Sequence, residues 1–159
     1  SSKYGKVSLL RVARGESMLA RTRALIKRTS LMNHLHPFLT IKETKDKGRG
    51  VFALNDIEAD TLLEVSPVIV LNEKDTALIH QTVLHDYYFI WGDDQVQSAV
   101  ALGYISIYNH SPEANCYHTC NFKENTISIY TKEAISANDE LRINYNMGGE
   151  QKLWFPIKA

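Results

Sequence analysis

Cysteine is scarce in this chain: only Cys116 and Cys120 occur among 159 residues. Two thiols are far too few for a disulfide scaffold, and too few by themselves for a structural zinc site. Such usage suits a reducing compartment without requiring one. Four prolines and eight glycines are too sparse for a collagen or a proline-rich linker. No apolar run approaches the roughly 20 residues of a membrane helix, so no membrane span is expected. The remaining composition, 44% apolar and 23% charged, is that of an ordinary folding domain. The length predicts one domain, able to bury about 70% of its unfolded surface without staples.

Acid is nearly missing from the first 36 residues. They hold eight basic residues against Glu16 alone, a net +7, while residues 37–159 hold ten basic residues against seventeen acids, a net −7. The reading is a basic N-terminal arm, 1–36, joined to an acidic body, 37–159. The body would repel a phosphate backbone and attract a basic peptide. Any nucleic-acid contact is expected only through the arm. Within it, Met18, Leu19, Leu25, Ile26, Met32 and Leu35 recur at helical spacing, with basic residues filling the other face. This predicts an amphipathic helix packed on the body by its apolar face. A homodimer element, a nucleic-acid contact and an Arg-rich organellar presequence stay open as readings of the same segment. Met18 is a candidate native first residue, with S-S-K-Y-G-K as an added leader.

After Pro37 the texture changes to short strands. Phe38 to Glu43 alternate, and K-D-K-G-R-G-V-F-A reads as a turn running into a strand at Val51. T-L-L-E-V-S-P-V-I-V-L reads as two short apolar runs divided by Pro67. Asp75 to Leu84 is expected as a short helix capped by Asp75. T-I-S-I-Y-T and E-L-R-I-N-Y read as strands separated by the turn segment A-I-S-A-N-D-E. The body is therefore expected to be mainly β with short helices, built of small sheets rather than a parallel α/β sheet.

Three segments carry chemistry. In Lys47-Gly48-Arg49-Gly50-Val51-Phe52-Ala53, two glycines let a backbone pass close to a ligand. No third glycine follows and no helix opens there, so this is not a dinucleotide fingerprint; alone, it reads equally as a turn. Tyr108-Asn109-His110-Ser111-Pro112-Glu113-Ala114-Asn115-Cys116 follows a weakly polar stretch, so its amides and imidazole need partners inside the fold. It reads either as a closed turn or as a set of donors and acceptors for a polar ligand. Zinc is not expected there: Cys116, His118 and Cys120 are the nearby ligands and no second cluster follows. In Asp139-Glu140-Leu141-Arg142-Ile143-Asn144-Tyr145, the strand-end tyrosine reads alone as a core residue.

In this order and spacing the three resemble the SET domain of protein-lysine methyltransferases, over Pro37 to Phe155. G-R-G-V-F-A matches its G-x-G strand. N-H-S-P-E-A-N-C matches N-H-S-x-x-P-N-C, with Ala114 for proline. E-L-R-I-N-Y matches E-L-x-x-D-Y, with Asn144 for aspartate. The compact body, the lead Ala101-Leu102-Gly103-Tyr104 and His118 are similar to the small viral-type SET proteins. The resemblance implies a β-clip of small curved sheets, with the second and third segments crossing in a C-terminal pseudoknot. It implies S-adenosylmethionine on one side, a basic peptide such as a histone tail on the other, and a narrow lysine channel between them. Cofactor contacts are implied at Lys47, Gly48 and Arg49, at the Asn109 side chain, at the His110 backbone, and at Tyr145. Tyr145 is implied as the active-site tyrosine and Tyr87 as a second channel tyrosine, with Tyr88 as fallback.

The expected function is S-adenosylmethionine-dependent methylation of a lysine in a basic protein, with a nuclear location and the cytoplasm as alternative. Non-histone targets and a catalytically silent peptide-binding module stand as the other readings. The cysteine cluster that follows many SET domains is missing, so no metal is expected. Trp154 is the candidate to close the cofactor site, and Leu153 a guess for the residue that sets the methylation degree. Asn144 and Ala114 are not read as inactivating.

Overall fold

The structure is a computed structural model and describes residues 33–145. Ten strands follow in chain order: β1 (His34–Leu35), β2 (Leu39–Glu43), β3 (Arg49–Ala53), β4 (Leu62–Leu71), β5 (Tyr88–Trp91), β6 (Gln97–Ala101), β7 (Asn109–His110), β8 (Cys116–Asn121), β9 (Thr126–Thr131) and β10 (Glu140–Ile143). They form two small sheets. One has the order β5-β6-β4-β9-β8, with β1 also on β4, and the other runs β2-β3-β10-β7. The architecture is mainly β, as the short alternating runs predict. Alternation explains the elements: in β9 Ile127 and Ile129 are fully buried, and in β10 Leu141 and Ile143 are, between more exposed neighbours. With Val51, Leu63, Ile105 and Tyr108 these side chains form one continuous core.

Three local expectations are corrected. Pro67 does not divide its segment: β4 is a single ten-residue strand. Its first half, through Pro67, pairs with β9, and its second half, from Val68, pairs with β6. The proline, which has no N–H to give, sits where the ladder changes partner; its carbonyl accepts from Leu102 N–H at 3.1 Å. The helix is shorter and earlier than expected, Glu73–Ile79, and its cap is Asn72, whose side chain accepts from Asp75 N–H at 2.9 Å. A separate 3₁₀ turn, Val83–Asp86, follows and is capped by Thr82. Finally, His34 and Leu35 pair antiparallel with Val65 and Glu64 of β4, so the helix expected over Met18–Leu35 does not run through them. The rest of that segment lies outside the described residues.

Candidate active site

The three chemical segments, far apart in sequence, meet along the second sheet. β10 pairs antiparallel with β3 and parallel with β7, setting Arg142 opposite Asn109 and Ile143 opposite His110. Ser111 N–H extends this pairing to Ile143 O at 3.0 Å. The second and third segments thus lie side by side, as the resemblance implies.

The two glycines have different tasks. Gly48 has φ +70 in the turn closed by Thr44, whose N–H and hydroxyl both donate to Gly48 O at 2.6 and 2.8 Å. A side chain there would meet open space, so the residue serves backbone conformation. Gly50 is a matter of room. A Cβ on it would come within 2.6 Å of Glu140 Oε1 and 3.0 Å of Asn109 Nδ2. Those two side chains form the brace of the site. Asn109 Nδ2 donates to Glu140 Oε1 at 2.7 Å and to Arg49 O at 3.2 Å, so one amide joins all three segments. Asn115 adds a second tie, donating to Glu140 O at 2.9 Å and accepting from Arg142 N–H at 2.8 Å. It thereby pins the loop in which Ala114 stands for proline.

Tyr145 is held at two points. Its N–H donates to His110 Nδ1 at 3.2 Å, and its hydroxyl donates to Tyr108 O at 2.5 Å. Burial, with Tyr87 as a second cause, pushes its phenol up to about 12. Tyr145 therefore keeps its proton at neutral pH and cannot serve as a base. Having donated that proton to Tyr108 O, its oxygen offers only lone pairs to anything else that approaches. Tyr87 itself is exposed. Tyr88, the fallback, is engaged elsewhere: its hydroxyl bonds His80 Nδ1 at 2.7 Å. Trp154 and Leu153 lie outside the described residues.

His110 is buried, and its Nδ1 must be unprotonated to accept from Tyr145 N–H. Burial, and secondly the Lys47 charge, hold its pKa below the ordinary 6.5. Lys47 is exposed. A native imidazole that resists protonation contributes its stability in full above the unfolded value. The contribution is lost as pH falls through the depressed one. Acidification from about pH 7 to about pH 5 spans the ordinary imidazole range. It is expected to lower the melting temperature of the parent more than that of His110→Asn, which keeps an acceptor without the titration. Parallel pH profiles for the two proteins would show that the imidazole does not anchor Tyr145.

Among the described residues no three His, Cys, Asp or Glu side chains converge in metal-binding geometry. The Cys116 thiol is pushed up to about 12, chiefly by burial, which makes it a poor ligand and a poor nucleophile. Two contributors escape a linear reading. The carbonyl of Tyr108 holds the Tyr145 hydroxyl, and Glu140 holds Asn109; both residues lie within the quoted segments, but a carbonyl role leaves no mark on residue type.

The sequence matches the SET domain over residues 48–146, more than half of the chain. The chain belongs to the SET-domain family. It is 38% identical over 122 residues to the histone-lysine N-methyltransferase specific for lysine 37 of histone H3 from Schizosaccharomyces pombe, covering 76% of this chain and 79% of the relative. In fold it is similar to the crystal structure of a protein described as a histone methyltransferase from Plasmodium falciparum, with TM-score 0.56 at 24% identity, over 76% of this chain and 100% of that one. The protein is thus a homologue of a histone-lysine methyltransferase and contains a small SET domain.

Proposed function

We propose that the protein is an S-adenosylmethionine-dependent histone-lysine N-methyltransferase acting on histone H3, with lysine 37 of that histone as the first site to test. The observation that carries this reading is the two-point fixing of Tyr145, from the His110 ring and the Tyr108 carbonyl, in segments that the Asn109 amide ties to the first. The donor set suits the cofactor. An exposed turn with open space at Gly48 admits a close approach to its backbone. Lys47 offers a cation for a carboxylate, and the carbonyls and amide around Arg49, Asn109 and His110 offer polar contacts to an amino acid and nucleoside. Bound there, the cofactor would supply a sulfonium methyl group.

The chain's own task is then alignment. The substrate lysine, with an ordinary pKa of about 10.4, must lose its proton before it can attack. A dry channel favours the neutral amine. The Tyr145 oxygen, with lone pairs to offer, accepts from that amine and fixes its direction, and Tyr87 is proposed to line the same channel. Alignment of this kind supplies on the order of 7–11 kcal/mol. The net −7 of residues 37–159 favours a basic tail as substrate. A nuclear location follows from that substrate.

The test is a methyl-transfer assay with labelled cofactor and the full chain, run in chelator against H3, nucleosomes and a cell extract. Label on H3 that disappears when its lysine 37 is replaced by arginine is the expected result. Label only on extract proteins would move the substrate outside histones, and no label anywhere would leave a binding module.

A further inference from the structure

Glu64 is the third residue of β4, with no solvent exposure at all, on the stretch that pairs with β1 and β9. A carboxyl at such a place costs stability unless it is well bonded. Its Oε1 accepts from Ser66 hydroxyl at 2.7 Å and from Tyr104 N–H at 2.7 Å. It lies against Gly103, where φ is +76 and an added Cβ would stand 2.4 Å from Oε1. The second oxygen, Oε2, and the buried Tyr108 hydroxyl have no hydrogen-bond partner among the described residues. Glu64 therefore holds the start of the segment from Gly103 to Tyr108, through the Tyr104 N–H where the 3₁₀ turn Ile105–Ile107 begins. Tyr108, where that segment ends, supplies the carbonyl that holds the Tyr145 hydroxyl.

We propose that Glu64 is a positioning residue for methyl transfer, which acts by fixing the 104–108 turn so that the Tyr108 carbonyl aims the Tyr145 hydroxyl. The inference rests on the methyltransferase reading above. A structural carboxyl could be replaced by any group of its shape. A positioning one must keep its acceptor for Tyr104 N–H, and its effect must pass through Tyr145.

The experiment compares Glu64→Gln and Glu64→Leu in the full chain, each alone and with Tyr145→Phe, by melting temperature, cofactor affinity from calorimetry, kcat and KM. Glu64→Gln keeps the acceptor and is expected to hold kcat within about threefold of the parent. Glu64→Leu is expected to lower kcat about tenfold to a hundredfold, with KM and cofactor affinity changed less than threefold. That loss should vanish in the Tyr145→Phe background, the mark of two residues acting in series. Amide exchange at Tyr104 gives a readout free of activity: protected in the parent and in Glu64→Gln, fast in Glu64→Leu. Additive losses with Tyr145→Phe, or an equal fall of all four parameters, would overturn the proposal. If Glu64→Leu does not fold, Ser66→Ala replaces it. Freeing the carboxyl to rotate should speed Tyr104 exchange and lower kcat a fewfold with a melting temperature only a few degrees lower, and unchanged exchange would overturn the proposal equally. A parent without activity on any substrate, but with Tyr104 protected as expected, would instead tell against the methyltransferase reading.

Discussion

Tyr145→Phe is expected to lower turnover about 10²–10³-fold, the loss that follows removal of one oriented polar group from a dry site. The ring stays, so the contact with the His110 ring and the N–H bond to His110 Nδ1 survive. The bond to Tyr108 O is lost. A single neutral hydrogen bond is worth about 0.5–1.5 kcal/mol, so the melting temperature should fall by only a few degrees. Cofactor affinity should change far less than turnover if, as proposed, the hydroxyl serves the amine. A tyrosine that merely fills the core would give another pattern, with stability, affinity and turnover declining together. Measuring all three on one purified variant separates the two roles, and near-normal turnover would remove Tyr145 from the chemistry.

Asn109→Ala is expected to have the largest effect on the architecture of the site. The sequence reading assigned this amide to the cofactor. In the structure its Nδ2 bonds Glu140 Oε1 and Arg49 O, so it also holds three segments together. Truncation strands a partly buried carboxylate, which costs about 1–3 kcal/mol or more because the group is charged. For a chain of this length, about 2–4 °C of melting temperature per kcal/mol translates that into a fall of several degrees. Cofactor binding should weaken at the same time, since Lys47, Gly48 and Arg49 lose their tie to β10. Glu140→Gln is the companion variant: it keeps an acceptor and removes the charge, and should lose much less. Full stability in Asn109→Ala would show that the brace is not what joins the segments.

The meeting of the three segments is legible in the sequence because each is a short string of residue types that few other tasks require in that order. The strand reading was likewise legible where one face is buried and the other wet, as in β9 and β10. Legibility failed where local chemistry was ambiguous. Asn72 and Asp75 are both good caps, and only the fold decides that the chain turns at the first. Pro67 reads as a break because a proline cannot donate, yet here the ladder changes partner at that residue. Tyr87 and Tyr88 are adjacent and identical, and only the fold shows that it is Tyr88 whose hydroxyl meets His80. Glu64 is hidden for a different reason. In L-L-E-V-S it looks like a polar residue on a wet face, but β4 is covered on both faces there. Beside the nearby Ser66, its backbone partner Tyr104 stands forty residues on, at a separation no local pattern reveals.

Methyl transfer to a lysine amine aligned by Tyr145 is tested most directly by site-mapping mass spectrometry of histone H3 after incubation with S-adenosylmethionine and either the parent chain or Tyr145→Phe, both shown folded. Methyl groups are expected on lysine 37 with the parent, and a loss of about 10²–10³-fold in their rate of appearance with the variant. Equal methylation by both proteins, or none by a parent that binds the cofactor, would contradict the proposal.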